Sequence, residues 1–265
     1  MFQSFEETAR PEQGPPRLAA LRQVLAAQKL DGFVIPRADA HQGEYVSARD
    51  ERLSWLTGFT GSAGFCAALT DIAGVFIDGR YRTQVKHQVD LEHFTPVPWP
   101  ETQLADWLRE HMPGNATLGI DPWLHTIEQF EQLEKRLAGH IAIKRCDNLV
   151  DQIWPDQPGP AVQPAKAHPL EFAGEDHAKK CARLAAELTE VGQSAAMITL
   201  PDSICWLLNI RGSDIPRNPV VQGFALLNAD ASVDLFVDPV KLDGLDAHLG
   251  PTVRCLLYTS PSPRD

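Results

Sequence analysis

The 265 residues are 43% apolar and 22% charged, the balance of a soluble globular chain long enough for two ordinary domains and unlike that of a disordered one. Lys and Arg number 24 against 35 Asp and Glu, and the formal charge of −11 disfavours phosphate backbones and anionic membranes as partners. No apolar run approaches the ~18 residues a membrane span needs, so neither nucleic acid nor membrane is an expected partner.

Pro15 and Pro16 open a helix comfortably, and Leu18, Leu21, Val24 and Leu25 then fall on one of its faces. Asp31-Gly32 turns the chain into Phe33-Val34-Ile35, an apolar run that predicts a buried strand. Helix then strand through a tight glycine turn begins an α/β layer. Further strands are predicted at 64–69, 73–77, 93–97, 118–120 and 141–143. Two helices separate the later ones. Leu104, Trp107, Leu108 and Met112 form one apolar stripe; Ile127, Phe130, Leu133 and Leu137 form the other, opened by a capping box at Thr126-x-x-Gln129. Pro155, Pro158, Pro160, Pro164 and Pro169 follow at a density that neither a helix nor a central strand tolerates. The spacing therefore places a first domain at 14–150, an extended connector at 151–170 and a second domain at 171–254.

The second domain repeats the helix-first plan. A helix is predicted over 174–190, burying Cys181, Leu184, Ala185 and Leu188. A strand at 195–199 leads to a short helix from Asp202, whose side chain is expected to cap it. Strands at 224–227 and 233–237 flank the hairpin-like turn Asn228-Ala229-Asp230, and a helix can begin between Lys241 and Leu249. Residues 255–265 lack periodicity and resemble translated adapter sequence. They are expected to be a non-native tail on a second domain that is incomplete, with the genuine protein interrupted near Arg254.

Five cysteines, Cys66, Cys146, Cys181, Cys205 and Cys255, are odd in number and contain no Cys-x-x-Cys pair. That pattern fits reduced cytoplasmic thiols better than a disulfide framework or structural zinc. The first thirteen residues carry Glu6, Glu7 and Glu12 and no apolar stretch, unlike a signal peptide.

Five segments in order carry a resemblance: Asp39-Ala-His-Gln-Gly-Glu-Tyr45, Trp55-Leu-Thr-Gly-Phe-Thr-Gly-Ser-Ala-Gly64, Ile77-Asp-Gly-Arg-Tyr81, Asn148-Leu-Val-Asp-Gln-Ile-Trp154, and Trp206-Leu-Leu-Asn-Ile-Arg-Gly-Ser-Asp214 with Asn218-Pro219. Each is weak alone; together, from about Leu18 to about Asp238, they resemble the three-domain Xaa-Pro aminopeptidases (aminopeptidases P). The fold class implied is α/β: two successive creatinase/prolidase-type N-terminal domains, each a mixed sheet flanked by helices. The family's third, pita-bread domain holds two divalent metals, usually manganese, on two Asp, one His and two Glu, a set that can sharpen a bridging water into hydroxide. The resemblance thus implies the front, non-catalytic part of an enzyme that removes an N-terminal residue preceding proline. This part is expected to shape substrate access, to help build a homodimer, to bind no metal itself and to supply no catalytic residue. Its expected partners are peptides with proline at the second position. A rival reading is a non-catalytic peptide- or histone-binding module of the same fold; a creatinase- or prolidase-type hydrolase is a third.

Arg80 is the candidate substrate-binding residue. Asp78-Gly79 turns the chain after a strand, and Arg80 is expected to open the next helix with its guanidinium at the domain edge. By resemblance it contacts peptide; the alternative is an ion pair with Asp78 that fixes the turn. His41, Glu44 and Tyr45 lie in a loop after the first strand, where α/β folds place ligand contacts, yet His41 and Glu44 can equally bond to each other. Gly58, Gly61 and Gly64 read as a sharp helix-to-strand turn, lacking the lysine of a phosphate loop. Arg211-Gly-Ser-Asp214 reads as a turn held by Asp214 and Asn218. His177 and Cys181, one helical turn apart, read as a surface histidine beside a buried cysteine, since two ligands do not make a zinc site. Trp154 and Trp206 are expected in the core or at a domain interface, and Cys66, in an apolar strand, is expected to be inert.

Overall fold

The computed structural model describes residues 9–256, which divide between Pro158 and Gly159 into two compact units. The division falls within the proline-dense stretch.

In the first unit the elements run α1 (Gly14–Gln28), β1 (Gly32–Pro36), α2 (Arg52–Thr57), β2 (Gly64–Leu69), β3 (Ala73–Ile77), α3 (Val85–Gln88), β4 (Thr95–Pro98), α4 (Leu104–His111), β5 (Ala116–Ile120), α5 (Ile127–Leu137) and β6 (Ile141–Arg145). The strands form one mixed sheet in the order β4-β3-β2-β1-β5-β6. β2 runs antiparallel to both β1 and β3, whereas β5 pairs parallel to β1 and β4 parallel to β3. Alternation along β1 sorts its side chains between two faces. Phe33 and Ile35 pack with Leu21 and Leu25 of α1, Leu56 of α2 and Val85 of α3. Val34 packs on the other face with Trp107 and Leu108 of α4 and Phe130 and Leu137 of α5. Phe33, Phe76 and Phe94 are fully buried, each contributing about 1.5–3 kcal/mol of transfer free energy. Thr126 and Gln129 form the expected capping box, with both reciprocal bonds present.

The second unit carries β7 (Lys166–Ala167), α6 (Leu170–Ala173), α7 (His177–Glu190), β8 (Ala195–Ile198), α8 (Pro201–Leu208), β9 (Ile210–Arg211), β10 (Phe224–Asn228), β11 (Val233–Phe236), α9 (Asp246–Leu249) and β12 (Val253–Leu256). Its main sheet has the order β12-β11-β10-β8, and β7 pairs with β9 separately. Cys181 of α7, Leu207 and Leu208 of α8, and Ala225, Leu227, Val233 and Leu235 of the sheet share one core. Lys180 Nζ donates to the Trp206 carbonyl at 2.8 Å and to Asn209 Oδ1 at 2.7 Å, closing the C-terminal end of α8, where cations are favoured.

Several expectations are corrected by these elements. The helix predicted over 174–190 starts at His177, because Gly174 turns at φ 76° and Asp176 caps the following turn by accepting from the Ala178 N–H. Asp202 caps nothing at the start of α8: Leu200 occupies the cap position and Pro201 opens the helix, a place where its missing N–H costs nothing. The helix expected between Lys241 and Leu249 is interrupted at Gly244, φ 80°, which separates a 3-10 turn over Pro239–Leu242 from α9. Val253 to Leu256 pair parallel with β11, so Cys255 and Leu256, at the head of the expected tail, belong to a strand. Residues 257–265 lie outside the described ones. Among the described residues no helix is long and apolar enough to cross a membrane.

Candidate functional site

The register of the first sheet brings one set of strand ends together. Pro36 lies opposite Phe65, Gly64 opposite Ile77, and Ile77 beside Pro98. The C-terminal ends of β1, β3, β4 and β5 therefore share an edge with the start of β2, the position at which open α/β sheets bind ligands.

Arg80 sits on this edge, in a short turn of 3-10 helix over Gly79–Tyr81 and ahead of α3 instead of at its start. Asp78 accepts from the Arg80 backbone N–H at 2.8 Å, from Nε at 3.0 Å and from Nη2 at 2.6 Å. The guanidinium is thereby oriented while its side chain stays 65% exposed. It lies 5.2 Å from the Tyr81 ring, and the Tyr81 hydroxyl is 2.7 Å from Ser62 Oγ. Hydrogen bonds from Arg80 hold the Asp78 carboxyl below its usual range, and the carboxylates of Asp78 and Glu44 favour the charged guanidinium. The ion pair with Asp78 fixes the turn, and Nη1 has no partner among the described residues. An arginine clamped on one side and open on the other can receive a carbonyl or carboxylate.

The loop of His41, Glu44 and Tyr45 reaches the same edge. Asp39 pins it by accepting from the His41 and Gly43 N–H groups at 2.9 and 3.4 Å, and Arg37 Nη1 donates to the Glu44 carbonyl. His41 is buried and Tyr45 exposed. Gly58 adopts φ 86°, where an added Cβ would meet the Gln88 carbonyl at 2.2 Å, so the turn reading applies to it. Gly61 is glycine for a different reason: a Cβ there would strike the Phe59 ring.

Beside Arg37, between the sheet edge, α4 and α5, lies a cleft of about 480 Å³ that the sequence did not single out. Phe65, Trp99, Leu104 and Leu133, all members of the adjoining core that are only part buried, line it. His125 enters it from the turn after β5, with Nδ1 2.9 Å from the Asp121 carbonyl. Burial pushes the His125 imidazole below its ordinary range, against the opposing pull of the Asp121 carbonyl and carboxylate. The available signal was position alone, since residues just past a parallel strand are where such folds place contacts.

The remaining candidates lie on other elements. His177 is buried, not superficial: its Nε2 lies 3.3 Å from the Leu249 carbonyl and its ring 5.1 Å from that of His248. Trp154 stacks on Trp55 at 5.0 Å in the first core, while Trp206 is 45% exposed and carries Lys180 Nζ 4.4 Å above its ring. Asp214 accepts from the Gln222 and Gln163 N–H groups and from Lys241 Nζ. Among the described residues no three His, Cys, Asp or Glu side chains are placed to hold an ion.

Cys66 is fully buried, and burial pushes its thiol from 9.0 up to about 12, with Arg22 opposing. A thiol whose folded value is raised adds stability that is intact below the unfolded value and fades as pH climbs. Denaturant melts are therefore expected to weaken progressively between pH 9 and about 12, and to weaken less in Cys66→Ser or Cys66→Ala chains. An unchanged slope in both variants would contradict the assignment. The same burial predicts that Cys66 resists alkylation until the chain unfolds.

Two regions match the family described as Creatinase/Prolidase N-terminal domain, residues 17–153 and residues 156–261. A protein named "Probable Xaa-Pro aminopeptidase P" from Coccidioides posadasii (strain C735) is 34% identical over 97% of the chain and 40% of its own length. "Aminopeptidase P1" of Arabidopsis thaliana is 36% identical over 85% of the chain and 35% of its own length. The crystal structure of an X-prolyl aminopeptidase from Caenorhabditis elegans, described as a cytosolic enzyme with a di-nuclear active site, superposes with a TM-score of 0.87. Its identity is 31%, over 92% of this chain and 42% of that one. The chain spans about 40% of the length of the curated relatives it matches.

Proposed function

The chain belongs to the creatinase/prolidase N-terminal domain family and carries two such domains in succession, and from that premise we propose that it is the non-catalytic front of a metal-dependent Xaa-Pro aminopeptidase. On this reading the whole protein removes the residue preceding a proline at the second position, with two divalent ions, manganese by family habit, on ligands beyond those described. The two domains shape the entrance for short peptides, contribute to a cytoplasmic homodimer, and present Arg80 to the peptide. The observation that carries the reading is the fold agreement across nearly the full chain, at a TM-score of 0.87 with an X-prolyl aminopeptidase. The Asp78 clamp supports the role of Arg80, because it holds the exposed guanidinium at the sheet edge through Nε and Nη2.

Two measurements test it. The purified 265-residue chain with added manganese is expected to leave a tripeptide with proline at its second position intact. Release of the first residue above a blank would overturn the proposal. A longer gene product that includes these residues is expected to cleave that peptide, and Arg80→Ala should lower its kcat/KM by about tenfold or more, the worth of one charge-assisted hydrogen bond. An unchanged kcat/KM would remove Arg80 from the substrate site.

A further inference from the structure

The cleft beside α4 and α5 has the makings of a binding site independent of any peptidase role. Ligand pockets are mostly apolar, a few hundred cubic ångströms in volume, and carry few fixed polar groups. Here one wall is aromatic: Phe65 and Trp99 meet edge to face with ring centres 6.2 Å apart. Leu104 and Leu133 supply apolar surface that the core leaves open. Apolar surface left uncovered beside a well-packed core is a place for a ligand's apolar group.

The polar groups in the cleft are mostly spent on protein groups outside it. Arg136 Nη2 is held by both oxygens of Asp106, Gln103 Nε2 donates to the Pro100 carbonyl, and Gln129 serves the capping box. Arg37 donates to the carbonyls of Glu44 and Ser62. His125 differs. A carbonyl can only accept, so the contact with Asp121 fixes the proton on Nδ1 and leaves Nε2 a lone-pair acceptor with no partner among the described residues. We infer that this cleft binds an aromatic ring bearing one N–H or O–H donor, an indole or a phenol, with His125 Nε2 as the acceptor and the Phe65–Trp99 wall as the packing surface.

The acceptor exists only while the imidazole is neutral. Around it stand Asp121 on its own turn, Arg37 at the end of β1, and the Arg136–Asp106 pair joining α5 to α4. Burial lowers the pKa of the His125 imidazole and so favours the neutral ring, with Asp121 opposing. Protonation turns Nε2 into a donor, so binding weakens as pH falls below the ordinary histidine range.

Amide NMR titrations of the 265-residue chain with N-acetyl-tryptophanamide, N-acetyl-tyrosinamide and N-acetyl-phenylalaninamide test the inference. Saturable shifts are expected around Trp99, His125 and Leu133, with the indole and phenol probes about fivefold tighter than the phenyl probe, as one neutral hydrogen bond provides. His125→Phe should erase that preference while leaving phenyl binding. Leu133→Trp, which fills the cleft from a half-buried helix position, should abolish all three and serves if the first variant fails to fold. Equal affinity for the three probes, a preference that survives His125→Phe, or an absence of saturable shifts would each overturn it.

Discussion

Replacing Arg52 with alanine is expected to cost about 3–5 kcal/mol, because it strands two carboxylates around a buried charge site. Arg52 is buried at the start of α2, and three of its nitrogens are engaged. Nε and Nη2 donate to the two oxygens of Asp151 at 2.6 and 2.9 Å, and Nη1 donates to Asp50 at 2.8 Å. Burial works against the charge, but the bonds and charges of Asp151 and Asp50 outweigh it and hold the guanidinium ionised. Asp151 also accepts from Gln157 Nε2 at 2.8 Å, so the network ties the segment after β6 back to α2. Loss of the arginine should lower the melting temperature of the first unit by about 10 °C, taking roughly 2–4 °C per kcal/mol for a domain of this size. Arg52→Lys should recover only part of the loss, since an ammonium cannot make the planar two-point contact. A shift of a degree or two for the alanine variant would show the network to be dispensable.

Asp214→Ala is expected to have a comparable effect on the second unit. The Asp214 side chain is 0% exposed and Lys241 opposite it 6%, with Nζ 2.8 Å from Oδ2. Removing the carboxylate leaves the ammonium with the Gln222 carbonyl at 3.1 Å, and strips the acceptor from the Gln222 and Gln163 N–H groups. A buried charge deprived of its partner costs about 3–5 kcal/mol. Hydrogen exchange reads this directly: amides of β10 and β11 should exchange at least a hundredfold faster, by about 1.4 kcal/mol per tenfold, while those of β1 and β2 in the first unit remain as internal reference. The double variant Asp214→Leu with Lys241→Met should regain much of the protection, because deleting both charges removes the stranded one. If the double variant is no better than the single, the penalty comes from the N–H groups and not from the ion pair.

These two networks also explain what the family-like segments encode. Within Asn148 to Trp154, Asn148 bonds to Asp121 and caps the Val150 N–H, Asp151 holds Arg52, and Trp154 stacks on Trp55. Within Trp206 to Asp214, the aspartate anchors Lys241. Most of the recognisable positions are therefore fixtures of the scaffold. Arg80, by contrast, stays 65% exposed on its Asp78 clamp.

Local chemistry was sufficient for the elements governed by neighbours in the chain. β2 and β3 fall at their predicted bounds because β-branched, aromatic and small apolar residues there are framed by glycine and turn residues. The Thr126 capping box works within one helical turn and needs nothing else. The turn at Asp78 was likewise readable, since an aspartate two residues before an exposed arginine closes on it without help.

What sequence spacing could not decide were the partners brought from afar. Arg52 and Asp151 are 99 residues apart, and nothing local says that a charged residue opening α2 is buried. His177 reads as superficial until α9 packs over it, and Trp206 reads as a core anchor until α8 turns that face outward. The cleft at His125 depends on parallel pairing of β1 with β5, which sets the C-terminal ends of those two strands side by side. Periodicity reports which side of an element is apolar; burial, ion pairing and cavities depend on what the rest of the chain lays against it.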